Sequence, residues 1–157
     1  MPVGFLFITL STTWLTRSLQ FMKAQEIIDR LTDRFPRVMR DTVPASDTYS
    51  VFDFSNETYL IEVKSRRKRY NPWMIERKKV KSNISIARER DKHFLYVTEC
   101  EGIAYVWNIS RMIHQAYNFK WATRRMPATT DFNRTQWVDK EVGFIRQRDS
   151  RAVNLID

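Results

Sequence analysis

Cysteine occurs once in the 157 residues, at Cys100, so no internal disulfide can form and a reducing, cytoplasmic compartment is expected. Histidine occurs twice, at His93 and His114. With a single cysteine beside them, no zinc cage can be assembled and no Cys-His nucleophile pair is suggested. Cys100 is read as an inert strand residue. The three glycines, Gly4, Gly102 and Gly143, are too few and too scattered for a phosphate-cradling loop or a dinucleotide fingerprint. That argues against nucleotide-driven and nicotinamide chemistry. Long apolar runs are missing as well. The most apolar stretch, MPVGFLFITLSTTWLT over residues 1–16, has no basic leader and no small-residue cleavage site. Serine and threonine interrupt it well short of the roughly 20 apolar residues that span a bilayer. Internal repeats and low-complexity segments are absent too.

What is present is enough for a real core: 43% of residues are hydrophobic and 13% aromatic. The length suits one domain, expected over 22–157, with 1–21 as an apolar extension. Basic residues exceed acidic ones by 27 to 18, a net charge of +9. Cations in that excess repel one another unless a polyanion neutralises them, which points to nucleic acid first and an anionic membrane second.

Helical spacing of Ile27, Ile28, Leu31 and Phe35 predicts a first helix from about Leu19 to Arg34, ended by Pro36. Glu26, Asp29 and Asp33 form an acidic stripe beside its apolar face. A loop through Pro44 and Ser46 closes at Asp47. The stretch FDFSNETYLIEVK, Phe52 to Lys64, then reads as a β-hairpin. Alternation puts Leu60, Glu62, Lys64 and Arg66 on one face and Tyr59, Ile61 and Val63 on the other. The apolar set is expected in a core and the charged set at a cleft.

Hairpin register decides whether Asp53 joins them. A two-residue turn at Ser55-Asn56 or Asn56-Glu57 pairs Asp53 with Thr58 or Leu60, on the face of Glu62 and Lys64; a three-residue turn separates them. With Leu60 opposite Asp53, Glu62 is a diagonal neighbour at about 7–8 Å, within joint reach of one cation. Asp47 has the same parity and is the rival first acid. A solvated cross-strand charge pair is the plainer alternative, and Glu76-Arg77-Lys78 repeats the acid-x-lysine spacing. The hairpin instance differs in its setting, because two acids on apolar strands cost stability unless they bind something.

A basic run, Ser65-Arg66-Arg67-Lys68-Arg69-Tyr70, leaves the hairpin. Pro72 fits the first turn of a second helix, with Trp73, Val80, Ile84 and Ala87 as its core stripe to about Arg90. Arg77, Lys78, Lys81, Ser85 and Arg88 cover its exposed side. Strands follow from His93 and Ile103, joined by a turn at Glu101-Gly102. A short helix, Arg111 to Tyr117, leads to a tail with a strand near Val142 to Ile145. Trp121, Arg124 and Arg125 suit the bases and phosphates of a nucleic-acid strand, and equally a packed indole beside surface arginines.

This arrangement resembles the PD-(D/E)xK nuclease superfamily, the restriction-endonuclease-like fold, and in particular its small phage-encoded members. The matching residues are Asp53 in FDF, Glu62 and Lys64 in IEVK, and YNPWMIERKKV entering a basic helix, over roughly residues 22–110. Phe52 stands where the family usually has proline. The resemblance implies an α/β fold, a mixed β-sheet flanked by helices in the order helix, strand, strand, helix, strand, strand. It implies a Mg2+-dependent endonuclease, Mn2+ substituting, with Asp53 and Glu62 as metal ligands and Lys64 beside the attacking water. An acidic residue of the first helix often completes such a site, and Glu26 is the candidate here. Glu76 and Lys79 resemble the family's IExxK element and are expected near the metal or a phosphate. DNA is the implied substrate, gripped by Arg66, Arg67, Lys68, Arg69, Lys78, Lys79 and Lys81. A monomer and a homodimer both fit, and the cytoplasm of a bacterial host follows if the protein is phage-encoded. Two other classes compete: a non-catalytic nucleic-acid-binding module on the same fold, and a peripheral membrane protein anchored by the apolar N-terminus.

Overall fold

The computed structural model describes residues 22–47, 50–128 and 136–156. Residues 1–21, and with them the start expected for the first helix, lie outside that range. The described chain is an α/β protein, with a mixed six-stranded sheet, a separate three-stranded sheet and three α-helices.

Helix α1, Ala24–Arg34, buries Ile27, Ile28 and Leu31 on one stripe, as the 3.6-residue period of those positions requires. Short strands β1 (Val43–Pro44) and β2 (Phe54–Ser55) lead antiparallel into β3 (Tyr59–Ser65). The turn between β2 and β3 is two residues long, at Glu57-Thr58. The Asn56 N–H donates to the Tyr59 carbonyl at 3.0 Å, and the Asn56 Oδ1 accepts from the N–H groups of Thr58 and Tyr59. This Asx-turn lies two positions after one expected turn, Ser55-Asn56, and one after the other, Asn56-Glu57.

Downstream of β3, the expected helix from Pro72 is instead strand β4, Trp73–Glu76, followed by α2, Arg77–Glu89. The reason lies far away in the chain. Strand β4 pairs antiparallel with β8, Trp137–Ile145, in register Trp73↔Ile145 to Glu76↔Val142. Its alternation of buried Trp73 and Ile75 with exposed Met74 has the period of a strand. Helix α2 then crosses over to β5 (His93–Cys100), parallel to β3 along its whole length. A parallel neighbour requires such a crossover, which covers the sheet on the helix side.

Strand β5 turns into β6 (Ile103–Asn108) through Glu101-Gly102, both at positive φ, 54° and 79°. That is the geometry a two-residue hairpin turn demands. Helix α3, Ile109–His114, begins two residues before its expected start, with the Asn108 side chain accepting from the Arg111 N–H at 2.9 Å as its cap. The tail supplies β7 (Ala122–Pro127), which pairs with β8, and β9 (Arg151–Asn154), which closes the large sheet beside β6. Neither β7 nor β9 was expected, and the strand expected from Val142 begins at Trp137. The large sheet runs β1-β2-β3-β5-β6-β9 and the small one β4-β8-β7.

The large sheet separates two cores. On one side α1 packs on Phe54, Ile61, Val63, Leu95 and Val97. On the other, Leu60, Phe94, Tyr96, Tyr105 and Trp107 pack with Trp73, Ile75 and the buried residues of α2. Buried Cys100 ends β5. Burial pushes its thiol pKa up, and the charges of Glu101 and Glu99 push it the same way. Among the described residues no helix is long and apolar enough to cross a membrane.

Candidate active site

The face of β3 that carries Leu60, Glu62 and Lys64 is not an open cleft wall. Leu60 is fully buried and Glu62 is 2% exposed, because α2 lies over this side. A carboxylate so buried is costly unless charge meets it. Two ammonium groups do: Lys64 Nζ lies 2.6 Å and Lys79 Nζ 2.8 Å from Glu62 Oε1. Lys64 arrives from the same strand two residues on, and Lys79 from the first turn of α2. The two lysine side chains are 28% and 42% exposed, so their outer sides reach solvent.

Asp53 joins this face. The ladder ends at Phe54↔Ile61, and just beyond it the Asp53 carboxylate reaches the backbone of Val63, next to Glu62, closely enough for the two charges to interact. Its backbone is held on both sides, the Asp53 N–H donating to the Ile61 carbonyl and the Ala45 N–H to the Asp53 carbonyl, each at 2.9 Å. Its Oδ2 accepts from the Val63 N–H at 2.7 Å. Burial pushes the Asp53 carboxyl above its ordinary value of 3.8, and the Glu62 charge pushes it the same way. The Val63 hydrogen bond and the Lys64 and Lys79 charges oppose the rise. The two acids therefore sense each other directly, with both lysines gathered on Glu62. Glu62 pairs in register with Tyr96, whose phenol pKa is raised by its own burial.

Asn83, which no pattern in the sequence had singled out, holds the two halves of this arrangement together. Fully buried on α2, it donates Nδ2 to the Val51 carbonyl at 3.0 Å and to the Lys79 carbonyl at 3.1 Å. One amide thus links the segment entering Asp53 to the helical turn bearing Lys79. Its Oδ1 has no hydrogen-bond partner, which marks a polar residue kept in a core at a cost. A single asparagine on the inner stripe of an otherwise apolar helix face is the signal that could have found it.

Glu26 is not brought to these carboxylates. Its helix packs on the opposite face of the sheet, where Ile27, Ile28 and Leu31 seek the apolar side of β3. Glu26 pairs with Arg30 at 3.1 Å, and Arg30 Nη1 donates to the Leu155 carbonyl near the β6–β9 edge. Asp47 lies outside the strands, its carbonyl accepting from the Ser50 N–H at 3.0 Å. Glu76 turns to Lys140 of β8 at 3.2 Å rather than to Glu62. Among the described residues no three His, Cys, Asp or Glu side chains group to hold a metal. Two hard carboxylates still suit Mg2+, which binds through one or two such ligands and completes its shell with water and phosphate oxygens.

The expected nucleic-acid contacts separate into three groups. Lys79 sits on Glu62, with its outer side in solvent. Lys78 and Lys81 lie on the outer side of α2. Arg66 is half-buried with its charge beside Tyr96, and Arg67, Lys68 and Arg69 are exposed in the following loop, where Arg69 pairs with Glu101 at 3.3 Å. Trp121 stacks on Phe119 at 4.9 Å, with the Arg77 guanidinium over its ring at 5.5 Å. Arg125 pairs across strands with Asp139 at 3.6 Å, and Arg124 stands opposite Lys140. No protein-family model matches the chain, and no curated protein matches it.

Proposed function

We propose that the protein is a divalent-metal-dependent nuclease that hydrolyses phosphodiester bonds in DNA, of the PD-(D/E)xK type. One observation carries the reading: the Asp53 carboxylate, bonded to the Val63 N–H, lies within reach of the Glu62 charge, and the Lys64 ammonium is 2.6 Å from Glu62. Adjacent acids in a half-dry setting raise each other's energy, and a fold keeps them where a cation or phosphate offsets the cost. Asp53 and Glu62 are the metal ligands. Mg2+, or Mn2+ in its place, would supply charge neutralisation at the scissile phosphate and would lower the pKa of a bound water. Lys64, a compact charge on a flexible stem, orients that water or meets charge developing on the phosphate. The exposed cations of α2 and of the loop after β3 hold the DNA backbone.

A second reading rests on a specific observation. Both ammonium groups already fall on Glu62 Oε1, so the acid is neutralised without a metal. On that reading the protein is a nucleic-acid-binding module with a structural ion cluster. Incubation with plasmid, junction and single-stranded DNA in Mg2+, Mn2+ or EDTA separates the two. The nuclease reading expects products with Mg2+ and Mn2+ only, lost in Glu62→Ala and Lys64→Ala while binding survives. Cleavage by either variant at the parental rate, or binding without any product, overturns it.

A further inference from the structure

We infer that the flank of α2 turned away from Glu62 is one wall of a groove that takes a single strand of nucleic acid. Nucleic acid as the polyanion rests on the proposed function; the groove and its single-strand form rest on their own geometry. Three adjoining cavities, of about 670, 320 and 610 Å3, follow the helix from its first turn to its last. Arg77 and Lys81 line both the first and the second, and Ile84 and Arg88 both the second and the third. The shared residues make them one channel, about 20 Å long at 1.5 Å per helical residue.

Its lining mixes cations and apolar surface with four carboxylates, Glu76, Asp139 and Glu141 at the first cavity and Asp91 at the third. Lys81 and Arg88 stand exposed on α2, and Arg111 faces them from α3. Among the described residues no carboxylate lies within ion-pair distance of these three. The acids bordering the first cavity are already matched, Glu141 by Arg77, Glu76 by Lys140 and Asp139 by Arg125. Between the cations, the far wall presents Tyr117 and Trp121, the latter carrying the Arg77 guanidinium over its ring. Cations that follow phosphates beside aromatic and guanidinium surfaces that meet bases are what an unpaired strand requires. A duplex keeps its base faces paired and stacked, and so offers nothing to this aromatic wall.

Fluorescence anisotropy of the full-length chain in EDTA, where no cutting intervenes, tests this with labelled oligo-dT, oligo-rU and a blunt duplex of equal length. The parent is expected to bind the single strands at least tenfold more tightly than the duplex. Lys81→Glu/Arg88→Glu is expected to weaken single-strand binding at least tenfold and to flatten its salt dependence by about 0.7 in log-log slope for each phosphate no longer neutralised. Arg111→Ala, at an exposed position, repeats the test in milder form if the double variant melts early by circular dichroism. Parental binding by either folded variant, or a parent that prefers the duplex, overturns the inference. Single-strand binding that depends on these residues, without metal-dependent cleavage, sustains the groove and removes only the nuclease reading.

Discussion

Lys79 Nζ lies 2.8 Å from Glu62 Oε1, the same oxygen that Lys64 Nζ approaches to 2.6 Å. One buried oxygen thus serves two ammonium groups from different elements, a strand and a helix. Either lysine can neutralise the acid when the other is gone. Neither is spare once both are removed.

Lys64→Met and Lys79→Met are therefore expected to cost about 1 kcal/mol each or less, since one partner remains and both ammonium groups reach solvent. The double variant leaves an uncompensated buried carboxylate and is expected to cost about 3 kcal/mol. Urea denaturation of the four proteins in a double-mutant cycle reads the coupling. Additive losses count against the shared-oxygen geometry. Cleavage is expected to vanish with Lys64→Met alone.

Asp53→Asn is expected to trade activity for stability. The folded state raises the Asp53 carboxyl pKa, through burial first and the Glu62 charge second, so the folded chain binds that proton more tightly than the unfolded chain does. The stability that protonation brings is present below the ordinary value of 3.8 and is lost as pH rises through the raised one. At neutral pH the parent carries that penalty and the asparagine variant does not, while its amide oxygen can still accept from the Val63 N–H. Thermal midpoints at pH 7 should rise in the variant, and the gap should close on acidification. No gain at pH 7 would show the carboxylate to be better compensated than its surroundings imply.

Asn83→Leu removes the amide that joins Val51 to Lys79 and leaves the half-buried Val51 carbonyl without that donor, a loss of about 1 kcal/mol. Asn83→Asp is expected to be worse, because a buried charge would face the same two carbonyls. On the proposed nuclease reading, kcat of the folded fraction of Asn83→Leu is expected to fall tenfold or more with KM little changed, since Asn83 would then align groups that act on the reacting phosphate. Equal changes in kcat and KM, or none, would reduce Asn83 to a packing residue.

Gly143→Ala tests the small sheet. A Cβ there would meet Trp121 Cε3 at 2.7 Å and Phe119 Cβ at 2.9 Å, so the stacked aromatic pair must move. Overpacking of this kind costs about 1–3 kcal/mol. Tryptophan fluorescence should report the displaced indole, and binding of single-stranded oligonucleotides should weaken with it.

How much of this was legible beforehand follows from the range of each interaction. Alternation in TYLIEVK put Glu62 and Lys64 on one face and Ile61 and Val63 on the other, because side-chain period in a strand is a property of the backbone. The two-residue turn was anticipated, but its place was set by the Asn56 side chain, which draws the bend onto Glu57 and Thr58. Asp53 still arrived near Glu62, with its carboxylate on the Val63 N–H. Glu26 did not, because the apolar stripe of α1 chose the far side of the sheet.

The amino-acid sequence by itself determined the apolar stripe of α1, the alternation of β3, the excess of positive charge and the common face of Glu62 and Lys64, since each depends on composition or on neighbours a few residues apart. Only the tertiary structure decided that Lys79 meets Glu62, that Asn83 ties Val51 to α2, and that Trp73–Glu76 is a strand. Those outcomes turn on the β3–α2–β5 crossover and on pairing between β4 and β8, far apart in the chain, and no local pattern encodes a partner at that distance.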